Sequence, residues 1–495
     1  MIRGRRQNNL VPPSLFTKLK YSPKPRSFAT VAYTVLISAN WSLSRQFLVR
    51  ILVPFWSERR WEPFLKILVI SQYWYPENGV PQRRWTWLSD LLRDEFALEV
   101  IAPPPHYRRN LKLLAWVRQV VGRGWRDLEF GPSGERIHRT FFIPSGNSLT
   151  QKALNQLTVA MGMMLKLSAL SFSRSSRKPD VIVGTVPALP TAVVTYFASK
   201  VLHAPYVIDL RDAWPDLLSQ SDQWNRSVGS RSFRELLLSH GSLQGASWLT
   251  DRSVNWVLEH SSGVMVTSSH LEKNLRNRFS NIGREIPLVT IRNVFPSRTD
   301  FVHRYVSEDD KRALNVLYAG TIGRAQNLAN AVEAARIAAT AGVDVHLRFV
   351  GAGAAKEALS EMAEELKVRA EFYFRRPADA LDEHYEWADT ALVHLTDWEP
   401  LERAVPSKTY ELMSSGLHIS GVVAGEAAEI IESCNAGEVV PPEKPEELAA
   451  LWIRLAKNPS QLRVGSLGKE WVEKERTRIA PEKLHSFIRN VIGDK

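Results

Sequence analysis

One cysteine, Cys434, stands in 495 residues. No intrachain disulfide can form, and zinc sites built on paired cysteines are excluded. The lone thiol fits a reducing compartment. No apolar run reaches the ~20 residues of a membrane-spanning helix; the nearest, residues 28–43, is short and interrupted by Thr34, Ser38, Asn40 and Ser42. There is no His-Glu-x-x-His, no Asp-x-Asp at a strand end, no Gly-x-Ser-x-Gly elbow and no Walker loop. The 12 histidines are scattered, so no metal site and no cofactor are expected. No sequence repeat of fixed short period is present, which excludes a solenoid. No basic–aromatic stripe lies on a recognised nucleic-acid module, so nucleic acid is not an expected partner.

Acid is missing from three long stretches. Residues 1–57 hold nine Lys and Arg, residues 100–126 six and residues 136–179 seven, with no Asp or Glu in any of them. In the second, Leu113, Trp116, Val117, Val120 and Val121 recur at helical spacing among basic residues. In the third, Leu154, Leu157, Met161, Met164, Leu165 and Leu167 form a broad apolar band. Apolar faces edged by Lys and Arg suit helices lying in an anionic membrane interface. They also suit ordinary core faces with solvated edges, and either reading fits a single stretch. Residues 301–495 carry 24 basic and 31 acidic residues, whereas residues 1–300 carry 40 and 21. A sign change of this size points to two units facing different surroundings, the basic one preferring an anionic surface.

Apolar residues at 44% and charged residues at 23% are ordinary globular usage. Residues 1–65 read as a basic extension, partly disordered or membrane-associated. Regular patterning begins at Lys66. Lys66–Ser71 is a short β-branched apolar run, as expected for a buried parallel strand, and it leads into a loop carrying Gly79. A helix over 82–96 and strands over 98–101, 181–184, 206–210, 263–267 and 287–291 complete one doubly wound unit, residues 66–300. The alternation then restarts, with strands at 315–320, 343–350, 372–374, 390–395, 419–422 and 438–440. Helices are expected over 328–341, 354–366, 381–388, 408–415 and 445–457. Residues 301–470 form this second unit, and 471–495 a final helix expected to pack back on the first. The fold class is α/β, two Rossmann-like parallel-sheet domains facing across a cleft. Ligands in open parallel sheets bind outside the carboxyl ends of the strands, so the cleft is the expected active site.

Three motifs carry chemistry. Val405-Pro-Ser-Lys-Thr-Tyr-Glu411 opens a helix with Pro at a starting position and Ser407 as its expected cap. Free N–H groups there make an anion site. Lys408 in the first turn opposes the helix dipole, which makes sense if an anion arrives from outside. Glu411 lies one turn on and could take two sugar hydroxyls. In Gly320-Thr-Ile-Gly-Arg324, Gly320 and Gly323 flank a strand-to-helix loop and Arg324 could grip a phosphate bidentately. In Asp209-Leu-Arg-Asp212, Asp212 could accept a proton from an alcohol, while Asp209 and Arg211 either meet the acceptor or orient the loop. Gly351-Ala-Gly353 is half of a dinucleotide fingerprint, with Lys356 where the third Gly would stand.

These segments, in this order, resemble the group 1, or family 4, glycosyltransferases of bacterial surface-polysaccharide assembly. So does the opening Ile67-Leu-Val-Ile-Ser-Gln-Tyr-Trp-Tyr-Pro-Glu-Asn-Gly79. The resemblance covers about residues 66–480. It implies the two-Rossmann GT-B fold and transfer of a hexosyl unit from a nucleotide sugar, with retention and without a metal. It also implies a lipid-linked or glycan acceptor and peripheral attachment to the inner face of the plasma membrane. By the same resemblance Glu411 holds the donor ribose, Arg324 and Lys408 neutralise the leaving diphosphate, and Gly79 approaches the donor phosphates. Arg375, beside Phe374, lies where the nucleobase rests. The family's Glu-any-seven-Glu motif is broken: position 403 is Arg403, and Glu402 is one place off. Two other readings share this architecture, a nucleotide-sugar epimerase and a degenerate, non-catalytic partner subunit at the membrane.

Overall fold

The computed structural model describes residues 65–77, 79–105, 116, 128–144, 149–171, 177–186, 189–213, 216, 242–297, 313–374 and 380–493, with the side chains of 149–153 and 242–250 left aside. The extension before Leu65, most of the basic stretch over 100–126, and Arg375 lie outside the described residues.

The first strand, β1 (Leu65–Ile70), is buried at every position but its first, because helices cover both faces of a parallel sheet. The chain then runs through α1 (Val80–Leu92), β2 (Phe96–Ala102), β3 (Leu128–Phe130), β4 (Arg136–Arg139), α2 (Leu149–Ser171) and β5 (Val181–Val186). It continues as α3 (Leu189–Leu202), β6 (Tyr206–Leu210), α4 (Ser242–Glu259), β7 (Gly263–Val266), α5 (Ser269–Asn281) and β8 (Leu288–Thr290). These strands form one sheet in the order β3-β4-β2-β1-β5-β6-β7-β8, and only β3 runs antiparallel. The β3–β4 hairpin was not legible beforehand: β3 is exposed along its length and carries no alternation to read.

The second sheet is built from β9 (Leu314–Thr321), β10 (Val345–Ala352), β11 (Ala370–Tyr373), β12 (Thr390–His394), β13 (His418–Val422) and β14 (Gly437–Val440). Its order, β11-β10-β9-β12-β13-β14, is parallel throughout. This is the Rossmann order, reversing between β9 and β12. Its helices are α6 (Ala329–Thr340), α7 (Lys356–Glu365), α8 (Asp382–Trp387), α9 (Ser407–Ser415), α10 (Glu426–Ser433) and α11 (Pro445–Lys457). Local chemistry explains their ends. In α11, Pro445 starts the helix, Glu446 and Glu447 sit in the first turn, and Arg454 and Lys457 sit in the last, each sign matching the dipole. Helix α9 stops at Gly416, whose φ of 72° is left-handed, where glycine costs least.

The last segments, α12 (Leu467–Lys474) and α13 (Ala480–Ile492), are joined by a π-turn over Glu475–Ile479. Helix α13 returns to the first sheet. Its His485 Nε2 lies 3.0 Å from the Leu91 carbonyl, and Arg489 pairs with Glu95 at 2.6 Å. Phe487 packs so closely on Gly263 that a Cβ there would meet its ring at 2.7 Å. One apolar core runs from a face of the first sheet, through α13, into the second. The two domains are thus joined by packed side chains as well as by the chain. The strand ends named in the next section face one another across a gap.

Candidate active site

A cleft of about 510 Å³ lies between the carboxyl ends of the two sheets. From the first domain it is lined by Gly79, Val80, Pro81 and Arg83 at the start of α1, by Arg211 and Asp212 after β6, and by Asn293. From the second come Tyr318–Thr321 at the end of β9, Val350–Ala352 at the end of β10, Leu392–Leu395 at the end of β12, and Pro406–Lys408 with Glu411 on α9. Gly323 and Arg324 are not among the lining residues: Gly323 caps and Arg324 opens the short 3₁₀ turn Arg324–Gln326 after β9, and of that turn Gln326 lines the cleft.

The start of α9 is the helix N-terminus that opens onto the cleft. Pro406, not Ser407, takes the cap position, Ser407 is the first helical residue, and no side chain caps the helix. That corrects the expected cap. Proline lacks a side-chain acceptor, so the first N–H groups are left without a capping oxygen, beside a cleft lined by Pro406, Ser407 and Lys408. Lys408 is held in a closed ring of polar contacts. Its Nζ donates to the Tyr385 hydroxyl at 2.9 Å and pairs with Glu411 Oε2 at 3.1 Å. The Tyr385 hydroxyl donates to Glu411 Oε1 at 2.9 Å. Arg83 reaches the same carboxylate at 3.9 Å. Burial lowers the Lys408 pKa, against the pull of Glu411. Burial alone would raise that of Glu411, but Lys408 and Arg83 more than offset it and hold the carboxyl below its ordinary range. Tyr385 is pushed well up by burial and by the Glu411 charge, so the phenol stays protonated and keeps its donor. Lys408 and Glu411 therefore form one prearranged unit, with the cation a quarter exposed at its side chain.

Glycine explains how close the walls come. Gly79 has a φ of −121°, which any residue adopts, so a left-handed turn does not require it. A Cβ there would make only an ordinary 3.4 Å contact with Pro81. What the missing side chain leaves is open backbone facing the cleft. Gly351 and Gly353 differ: a Cβ on either would sit 1.9 Å from a carbonyl, that of Gly320 or of Ile322. They seat the β10 loop against the β9 loop, which accounts for a Gly-x-Gly pair without a dinucleotide.

Asp209 and Arg211 part company. Asp209 is fully buried behind the cleft, where Arg84 Nη2 meets Oδ1 at 2.9 Å and Trp85 Nε1 meets Oδ2 at 2.8 Å. Arg84 also donates to the Ile291 carbonyl and Asn293 Oδ1, so this group ties α1, β6 and the segment after β8 together. Asp212 is exposed and lines the cleft, as does the buried Arg211. Phe374 is 82% exposed at the end of β11, with Lys356 Nζ 4.3 Å from its ring centre.

Three contributors were missed in the sequence. Arg83 and Arg84 had a signal, two arginines in the first turn of the helix after a Gly-bearing loop. Tyr385 had none, since it sits in a six-residue helix among core aromatics. Arg403, standing where the family's first acid would be, does not line the cleft. It is buried and pairs with Asp216 and Glu399, each at 2.7 Å. Its carbonyl accepts from the Ser268 hydroxyl. Glu426 alongside takes the N–H groups of Ser269 and His270 at the start of α5, and the Arg292 guanidinium.

Two Rossmann domains with the carboxyl ends of their sheets facing across a cleft define the GT-B architecture. Comparison with known proteins agrees. Residues 302–476 match the family model "Glycosyl transferases group 1". Over 443 residues the chain is 24% identical to the putative colanic acid biosynthesis glycosyl transferase WcaI of Escherichia coli K12, covering 87% of this chain and all of that protein. Among solved structures it is similar to sucrose-phosphate synthase of Thermosynechococcus elongatus, with a TM-score of 0.60 and 14% identity over 86% of this chain and 99% of that one. It is likewise similar to HepE of Anabaena in complex with UDP and glucose, with a TM-score of 0.53 and 15% identity over 86% and 99% of the two chains. The chain is a glycosyltransferase of the GT-B fold that carries a group 1 glycosyl transferase domain.

Proposed function

We propose that the protein transfers a hexosyl unit from a nucleoside-diphosphate sugar to a hydroxyl of a lipid-linked or polysaccharide acceptor, with retention and without a bound metal. The carrying observation is the uncapped start of α9 with Lys408 beside it. Rupture of a sugar–diphosphate bond leaves negative charge on the leaving oxygen. Helix N–H groups and a prearranged ammonium stabilise such charge as it develops, so protein groups carry out the neutralisation. Gly79, with no side chain between its backbone and the cleft, admits the phosphates from the opposite wall, and Gly320 and Ser407 frame them. Arg324 and Gly323 join them if the β9 loop turns inward on binding. Glu411 keeps lone pairs for the ribose hydroxyls, and the nucleobase role of Arg375 rests on the family resemblance alone. Retention would come from attack on the face the diphosphate leaves, its oxygen taking the proton and Asp212 orienting the acceptor hydroxyl. The UDP and glucose held by HepE and the polysaccharide role of WcaI support a nucleotide-sugar donor and a glycan product.

Helix α2 supports the lipid side of the reading. Leu154, Leu157, Met161 and Leu165 recur along it and are 47–65% exposed, beside Lys166 and within a stretch that has no acid. Such a face suits the inner, anionic surface of the plasma membrane. No helix among the described residues is long and apolar enough to cross a membrane.

A thermal-shift screen of nucleotide sugars tests the reading, because a donor at ~100 times its Kd stabilises by about 2.7 kcal/mol. Turnover should survive EDTA and fall with Lys408→Ala or Glu411→Ala. Unchanged turnover in both variants would refute the site. Flotation with phosphatidylglycerol liposomes but not with neutral ones is the expected membrane result, and equal behaviour in the two refutes that part.

A further inference from the structure

Arg211 is built differently from the other cations of the cleft. Lys408 and Arg83 both lean on Glu411. Arg211 has no carboxylate within ion-pair distance among the described residues. Asp209, two residues before it, is wholly engaged by Arg84 and Trp85. The Arg211 guanidinium makes one hydrogen bond, from Nε to the Val186 carbonyl at 3.0 Å, and its buried Nη2 has no partner. Yet the residue is only 6% exposed and lines the cleft. A guanidinium has five N–H donors in a planar fork matched to phosphate or carboxylate. Leaving the buried Nη2 donors unpaired is costly unless a ligand satisfies them. Burial pulls its pKa down against the attraction of Asp209 and Asp212, the direction expected of a cation short of anions.

The backbone holds it ready. Its N–H reaches the Val186 carbonyl at 3.4 Å, and its own carbonyl accepts from the Thr267 hydroxyl at 2.7 Å. The residue is thereby pinned to β5 and β7, on the wall that faces α9 across the gap. The cleft thus carries, on its first-domain wall, a cation that is not part of the Lys408–Glu411–Arg83 group. Asp212 is the next residue and also lines the cleft. An acceptor hydroxyl approaching Asp212 would set its neighbouring groups against Arg211.

We propose that Arg211 anchors a second anion site, which takes a phosphate or diphosphate of the acceptor. This rests on the transferase reading above and narrows it: the acceptor is phosphorylated close to the attacked hydroxyl, as a lipid-diphosphate sugar is and a neutral glycan is not. Since the donor also carries phosphate, the test separates the two sources.

Titration calorimetry on the full chain first measures a panel of nucleoside diphosphates. It then measures inorganic pyrophosphate and farnesyl diphosphate added to protein saturated with the best of them, with farnesol as the uncharged control. The saturated wild type is expected to bind both diphosphates and not farnesol. Arg211→Gln should weaken that second binding about 10- to 100-fold, the loss of one or two charge-assisted hydrogen bonds, and leave the nucleoside diphosphate unchanged. Arg211→Lys should fall between. No second binding in the wild type overturns the proposal. So does a tenfold loss of nucleoside-diphosphate affinity in Arg211→Gln, which would place Arg211 on the donor. A similar loss in both variants, with a lowered unfolding midpoint, would mark the residue as structural and also overturns it. If no nucleoside diphosphate binds the wild type, the transferase reading fails by itself. Pyrophosphate binding to the free protein that Arg211→Gln abolishes would then still support an anion site at Arg211.

Discussion

Asp209 lies in a motif rich in candidate catalytic groups, and its environment predicts a role in stability. Replace it with Asn. The shape is kept, but Arg84, with a side chain exposed to 0% like that of Asp209, is left as a buried cation without its anion. The bonds at stake are Arg84 Nη2–Oδ1 at 2.9 Å, Nε–Oδ1 at 3.2 Å and Trp85 Nε1–Oδ2 at 2.8 Å. Removing one partner of a buried pair costs about 3–5 kcal/mol. Urea denaturation followed by tryptophan fluorescence should show that loss. The folded variant should keep its nucleoside-diphosphate affinity, because Asp209 does not line the cleft. In a cycle with Arg84→Met, the double variant should be more stable than additivity predicts by about 1–3 kcal/mol, since the orphaned cation is then gone. The reasoning fails if Asp209→Asn costs under about 1 kcal/mol while turnover collapses. That pair of results would put the carboxylate in the chemistry.

Tyr385→Phe removes the hydroxyl that bridges Lys408 and Glu411. Donor affinity should fall about 10-fold, the worth of one such bond to a charged group, with little change in stability; competition with a labelled nucleotide measures it. Arg403→Met removes the ion pairs that tie Asp216 of the first domain and Glu399 of the second to one side chain. Acceptor KM should rise more than donor KM, Arg403→Lys should restore part of the loss, and steady-state kinetics with each substrate varied reads the difference. Glu411 and Glu426 both titrate below their ordinary range in the folded chain. Burial opposes this, but Lys408 and Arg83 prevail at Glu411, and Arg292 with the His270 and Ser269 N–H groups prevails at Glu426. A depressed carboxyl adds stability that is complete above its unfolded pKa, about 4.5, and is lost as pH falls through the folded one. Unfolding free energy at pH 4 should therefore drop less in Glu411→Gln than in the wild type.

The strands were legible because parallel sheets bury both faces, so β1, β5, β6 and β12 appear as short, mostly apolar runs with few polar breaks. Helix α11 could be placed at 445–457 because Pro, two acids and two bases punctuate it. That the start of α9 lines the cleft was legible for a different reason: a Lys in a first turn contradicts the dipole, which suggested a site open to an anion. The hairpin β3–β4 was not, because β3 is exposed throughout and the buried positions of β4 are Ile137 and Arg139, which leaves no apolar alternation to read. Nor was the division of labour within Asp209-Leu-Arg-Asp212. Spacing puts all three charged residues at a strand end, but which of them faces the cleft depends on Arg84, 125 positions from Asp209. A local pattern cannot report a partner that distant.

Arg403 shows how a departure from a family pattern becomes a structural statement. An acid at that position would be expected at the donor sugar, and an Arg in the same place would put a cation beside a developing oxocarbenium centre, which is unfavourable. The structure avoids this conflict by turning the side chain into the seam between the domains. There it bonds Asp216 of the first domain and Glu399 of the second, while its carbonyl takes the Ser268 hydroxyl. Ser268 also caps α5 through Leu271 N–H, and Glu426 caps the same helix from across the seam. The loop that would have held an acid over the sugar is thus part of a domain joint, next to the segment bearing Arg211 and Asp212. A substitution that spoils catalysis through Arg403 should therefore act on the geometry of the acceptor wall. The kinetic signature, acceptor KM ahead of donor KM, separates that from a lost donor contact.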